Sequence, residues 1–160
     1  MSFAGDLWKA SAIEAMRDVF DRLVFRDYEE VAAGWTESDA SKASVVRMQL
    51  RVDPVVTLVF AIGDELARDL SAAILGMDDS EVQPEDLQDT ASELLNMIGG
   101  EMKTALFEKG IEFDLGIPDM LGVWPFAAGD GESSQDVVDG QVRISGRLGE
   151  EPVELRILVA

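Results

Sequence analysis

Asp89, Glu93, Asn96 and Gly100 recur at i, i+4, i+7 and i+11 in the stretch QDTASELLNMIGGEMKTAL, Gln88 to Leu106. At about 100° per residue they share one side of a helix. Ala91, Leu94, Leu95, Ile98, Met102, Ala105 and Leu106 gather on the other side, which must be the core face. The chain contains no Cys and no His. Disulfides, thiolate nucleophiles, Cys- or His-ligated metals and the usual general base near neutral pH are therefore excluded. If the chain is an enzyme, carboxylates, amides, hydroxyls or lysines do its chemistry, and this stripe presents the first two.

Gly100 gives the stripe its character. A glycine inside a helix costs roughly 1 kcal/mol relative to alanine. This one lies in the polar stripe one turn beyond Asn96 and leaves a bare patch, where another surface can approach the helix backbone closely. Its neighbour Gly99 falls on the flank, where it permits close packing. Glu-x-x-Asn is a common combination in helices, so spacing alone leaves two readings open, a solvated face and a docking face.

The elements that position this helix follow from periodicity. Asp6 to Arg26 reads as a first helix with an apolar stripe of Ile13, Met16, Phe20, Leu23 and Val24. Thr36 to Ser44 reads as a loop. Val46, Met48, Leu50 and Val52 alternate with Arg47, Gln49 and Arg51 as a half-buried strand, and after Asp53-Pro54 the apolar Val55 to Ile62 suits a central strand. Asp64 is expected to cap a helix, Glu65 to Leu75, ended by Gly76. The long helix opens at Pro84, carries Glu85 and Asp86 in its first turn, and should run to about Lys109 before Gly110.

Ile111 to Leu115 is a short strand candidate, and Leu121 to Phe126 an edge strand, since Pro125 cannot donate to a ladder. "AAGDGESSQD" reads as a loop. Val142 to Val159 makes a hairpin turning at Gly149 to Pro152. Arg47, Arg51, Arg143, Arg147 and Arg156 are expected on outward strand positions while the helices carry most of the acids. One sheet with helices on one face, a two-layer α+β domain spanning 1–160, follows. Both halves show a long helix followed by strands, with Glu14 and Arg17 overlaying Glu93 and Asn96.

The formal net charge is −19. It opposes phosphate backbones and anionic membrane surfaces, so neither nucleic acid nor membrane is an expected partner. No apolar run is long enough for a membrane span and no basic-then-apolar run opens the chain, so a cytoplasmic protein is the expectation.

DTASELLNMIGGEMKTAL with the later Pro118 resembles the signature of the CheC/CheX chemotaxis phosphatases: Asp or Ser, three residues, Glu, two residues, Asn, then a distant Pro. The matching positions are Asp89, Glu93, Asn96 and Pro118, with one residue fewer between Asn and Pro than in the family pattern. PVVTLVFAIGDELARDLSAAILG resembles the strand-then-helix segment before the site, so the likeness covers Ser44 to Pro118 and the ends by topology only. CheC-like members often carry two such sites, but here Arg17 stands where the first helix would need Asn. The chain is thus similar to the single-site CheX branch.

The resemblance implies an α+β fold: a mainly antiparallel sheet, two long helices on one face and a pseudo-two-fold repeat. It further implies a homodimer joined through edge strands, with the Val123–Phe126 region a candidate edge. The implied activity is that of a hydrolase acting on the aspartyl phosphate of a CheY-type response regulator. Asn96 would orient the attacking water and Glu93 would pair with the lysine beside the phosphoaspartate. Mg²⁺ would arrive with the substrate, held by its own acids, with no metal bound by this chain.

Gly100 would give clearance to the partner's loops. Asp89 is either a second contact or an acid favoured by the helix dipole. Lys103 continues the stripe toward the partner's acids or pairs within its own helix or with solvent. Trp8, Trp35 and Trp124 read as core or interface aromatics, and Met97 and Met102 as packing. The alternative to an enzyme is a non-catalytic CheX-like module that docks a response regulator or a flagellar-switch partner.

Overall fold

The computed structural model describes residues 4–23, 25–31, 42–121, 137–138 and 141–159. The first helix, α1 (Gly5–Arg17), continues in π-helical turns over Asp18–Leu23. It stops short of Arg26 because Phe25 adopts a φ of 57° and the Asp21 carboxylate accepts from Tyr28 N at 2.7 Å, turning the chain into β1 (Tyr28–Glu30). β2 (Ala43–Arg51) and β3 (Val56–Gly63) form an antiparallel hairpin.

α2 (Asp64–Leu75) follows directly, and Gly76 ends it in the left-handed conformation, φ 67°. Asp64 is not its cap. Gly63 holds that position, while Asp64 sits in the first turn and accepts Ser44 Oγ at 2.9 Å, tying α2 to β2. α3 (Pro84–Phe107) is the long helix; it ends two residues before the expected end and passes into the turn through Gly110. Only Asp114–Leu115 of the next strand candidate pairs, as β4, and Asp119–Met120 form β5. β6 (Val137–Val138), β7 (Gln141–Leu148) and β8 (Glu151–Val159) complete the sheet.

The strands run in the order β1-β7-β8-β3-β2-β4, with β5 also on β2 and β6 on β7, and every pairing is antiparallel. The two halves exchange strands: β1 of the first half joins β7 of the second, and β4 of the second joins β2 of the first. α1 packs on β7 and α3 on β2, so each helix lies on the opposite half's strand. This is the pseudo-two-fold repeat in three dimensions, with its axis between β3 and β8.

The core lies between helices and sheet. Met16, Phe20, Met48, Leu58, Phe60, Leu94, Leu95 and Ile98 are buried in it. Trp8 is buried and stacks on Phe113 at 5.5 Å. No helix of the described residues is long and apolar enough to cross a membrane.

The far face of the sheet departs from expectation. Arg47 and Arg51 are exposed, but Arg143 and Arg156 are buried, at 5% and 3% exposure, and Arg147 is half-buried. A buried guanidinium must be paired, and Glu154, itself fully buried, accepts Arg156 Nε at 3.0 Å and Ser145 Oγ at 2.5 Å. Beside this polar row lies a small apolar cluster of Val45, Val59 and Ala61. The alternation fixed which face each arginine takes without revealing that part of that face is buried. Trp35, Trp124, the Val123–Phe126 edge, most of the Thr36–Ser44 loop and the AAGDGESSQD loop lie outside the described residues.

Candidate functional site

α3 starts as its sequence requires. Pro84 occupies the first turn, and Asp86 Oδ2 accepts from Gln83 N at 2.8 Å in a capping box. Its inner face buries Leu87, Ala91, Leu94, Leu95, Ile98, Met102 and Leu106. Ala105, expected in the core, is half-buried and lines a groove of about 380 Å³ between α1 and α3, with Leu7, Glu14, Asp18 and Glu101. Thr90 lies 2.6 Å, hydroxyl to hydroxyl, from Ser71 of α2. The helix is thus held from behind along most of its length.

The opposite side carries the stripe. Asp89, Glu93, Asn96 and Lys103 are exposed. Among the described residues, the side chains of Asp89, Glu93 and Asn96 make no hydrogen bond or ion pair. A Cβ built on Gly100 would meet nothing within 4 Å, so the bare patch opens outward. Gly99 is the opposite case: its Cβ would stand 2.5 Å from Met48 Cε and 3.2 Å from Leu115 Cδ2, so helix and sheet approach closely there. Met97 and Met102 pack into the core as expected.

Lys103 has a partner that the sequence did not suggest. Its Nζ lies 3.5 Å from Asp114 Oδ1 on β4. Both side chains are well exposed, so the pair is weak and can be exchanged for another. Asp114, Phe107, Phe113 and Arg51 surround Lys103 in a second cavity of about 380 Å³. Neither cavity includes Glu93 or Asn96. Pro118 is half-buried in the segment between β4 and β5, which is bound to β2 by Gly116 N donating to Gln49 O at 2.8 Å.

On α1 the equivalent position differs. Glu14 is exposed, but Arg17 donates through Nη2 to Glu30 Oε1 at 2.5 Å and is thereby fastened to β1. A carboxylate and a carboxamide therefore stand together, free and outward, only on α3 among the described helices.

Residues 44–138, more than half of the chain, match the family model of the chemotaxis phosphatase CheX. The fold is similar to the chemotaxis protein CheX of Vibrio vulnificus, 14% identical, with a TM-score of 0.74 over 99% of this chain and 100% of that one. It is also similar to CheX of Desulfovibrio desulfuricans, 17% identical, with a TM-score of 0.69 over 96% of this chain and 99% of that one. A third likeness, at 17% identity and a TM-score of 0.58 over 96% of each chain, is to the CheX-CheY-BeF3-Mg²⁺ complex of Borrelia burgdorferi. No curated protein sequence matches the chain.

Proposed function

The chain belongs to the CheX family of chemotaxis phosphatases, and on that premise we propose that it hydrolyses the aspartyl phosphate of a CheY-type response regulator in the cytoplasm. The observation that carries this reading is the family match across the whole of α3. The unpaired, outward Glu93 and Asn96 of that helix support it further.

Hydrolysis of an acyl phosphate needs a water in line with the phosphorus and neutralisation of the developing charge. In this reading Asn96 enters the regulator's phosphorylation site, where its carboxamide, a donor and an acceptor in one group, hydrogen-bonds and orients the attacking water. Glu93 pairs with the lysine beside the phosphoaspartate and sets the register of docking. A carboxylate left unpaired so close to a phosphoryl group would repel it. Mg²⁺ comes with the regulator, held by its own acids. Gly100 gives clearance, and Asp89 and Lys103 border the contact, Lys103 exchanging Asp114 for an acid of the partner. Association of two copies through sheet edges belongs to the same reading and is tested by sedimentation.

The test is the decay of phosphate from a CheY-type regulator with Mg²⁺, in the presence and absence of the protein. Wild type should accelerate decay. Asn96→Ala should lose on the order of 10²-fold, as expected for a mispositioned reactant. Asn96→Asp, which keeps the shape and adds a charge next to the phosphoryl group, should lose as much. If wild type and Asn96→Ala both bind a regulator yet neither alters its decay, the helix face is a docking surface and the enzyme reading fails.

A further inference from the structure

After β4 the chain runs antiparallel along the outer edge of β2, with Leu115 opposite Leu50 and Met120 opposite Val46. It is held there tightly. A Cβ on Gly116 would stand 2.5 Å from Gln49 O, the oxygen that accepts the Gly116 N–H, so this approach requires glycine. Two contacts fix the level of α3 beside this segment: Asp114 with Lys103 at 3.5 Å, and Leu115 against Gly99. Gly99 also meets the tip of Met48 on β2. At about 1.5 Å per helical residue and about 3.3 Å per strand residue, Asn96, three residues before Gly99, lies about one to two strand residues beyond Met48. That is level with Arg47 and Val46, and so with Asp119 and Met120 opposite them. Ile117 and Met120 therefore flank the part of α3 from Asn96 to Gly100. Ile117 is 89% exposed, the most exposed large apolar side chain among the described residues, and Met120 is 43% exposed.

An isoleucine held clear of its own fold, beside a bare helix backbone, suits short-range apolar contact. The chain has particular need of such contact. With 32 acidic residues against 13 basic ones, it gains no long-range attraction toward a partner whose phosphorylation site is lined by acids. Affinity must come from surfaces that touch.

We propose that Ile117 and Met120 form an apolar shelf that seats the surface bordering the phosphorylation site of the response regulator, and so delivers Asn96 and Glu93 into that site. The shelf rests on the phosphatase reading given above. It makes Ile117 a docking residue that acts on binding and leaves the chemical step alone.

The test measures dephosphorylation of CheY-type regulators, phosphorylated with phosphoramidate in Mg²⁺, over a range of regulator concentration. Ile117→Ser and Met120→Ser are compared with wild type and with Asn96→Ala. Ile117 is so exposed that its replacement should leave the melting temperature unchanged. Burying most of an isoleucine side chain corresponds to roughly tenfold or more in affinity, so Ile117→Ser should raise KM about tenfold and keep kcat, whereas Asn96→Ala loses kcat. An unchanged KM for Ile117→Ser beside an active wild type overturns the shelf and leaves the phosphatase reading standing. If wild type turns over no regulator, the phosphatase reading falls, and binding to the same regulators activated with beryllofluoride decides the shelf. A Kd that Ile117→Ser weakens tenfold upholds it, and unchanged or absent binding overturns it.

Discussion

The terminal methyl of Met48 fills the space beside Gly99, where an alanine Cβ would lie 2.5 Å away from it, while the neighbouring Gly100 faces open space. Two adjacent glycines in one helix thus have opposite energetic consequences. Gly99→Ala gains about 1 kcal/mol of helix propensity but forces aside a methionine that is 1% exposed and crowds Leu115. Overpacking typically costs about 1–3 kcal/mol, so a net loss of about 1 kcal/mol is expected. Gly100→Ala meets no neighbour and should gain about 0.5–1 kcal/mol. Urea denaturation should rank Gly100→Ala above wild type and wild type above Gly99→Ala; the reverse order would mean that helix and sheet do not meet at Gly99.

Gly100→Leu separates stability from activity. The side chain has room, so the folded state should be at least as stable as wild type. Under the proposed function it also fills the clearance into which a partner's loops move. Phosphatase activity should fall at least tenfold, since small misplacements of reactants are costly, while the melting temperature holds or rises. A Gly100→Leu protein with wild-type activity would remove this residue from the docking face.

Much of this arrangement was legible in the sequence because it depends on period. The stripe of Asp89, Glu93 and Asn96 against Leu94, Leu95 and Ile98 needs only the helical repeat, and the strands β2, β3, β7 and β8 need only alternation. What stayed hidden depends on contacts far apart in sequence. The pair of Lys103 with Asp114 follows from β4 joining β2, a pairing of two residues that no periodicity marks. Arg156 is buried beside Glu154, a buried acid that also accepts from Ser145 on the neighbouring strand, and the exposure of Ile117 depends on how Gly116 grips β2. The end of α1 turned on one backbone conformation, at Phe25.

Tyr28 is buried against Phe20, ring centroids 5.9 Å apart, and its hydroxyl has no hydrogen-bond partner among the described residues. Burial, with Glu30 adding to it and Arg17 opposing, pushes the phenol well above its ordinary value, so it stays neutral throughout the working pH range. A buried hydroxyl without a partner costs about 1–3 kcal/mol, whereas the ring itself is well packed. Tyr28→Phe should therefore stabilise the protein by about 1 kcal/mol, with no pH dependence between acid and neutral conditions. A loss of stability in thermal melts would show that the hydroxyl is engaged after all.

Glu151 gives the protein a small pH-dependent weakness. Its pKa is raised above the ordinary 4.5 by burial first, then by the charge of Glu65 and a hydrogen bond with it, and by Asp69 and Glu150. An acid whose folded pKa is raised binds its proton more tightly in the folded state, so its contribution is complete below the ordinary value and is lost as pH rises through the raised one. At neutral pH the ionised Glu151 repels the carboxylates around it. Glu151→Gln removes that repulsion and can still donate to Glu65. Because the site is largely open to solvent, the gain is small, on the order of 1–2 °C in Tm at pH 7. Near pH 4, where wild-type Glu151 is mostly protonated, wild type and variant should melt together. A gain of equal size at both pH values would assign it to packing instead of charge.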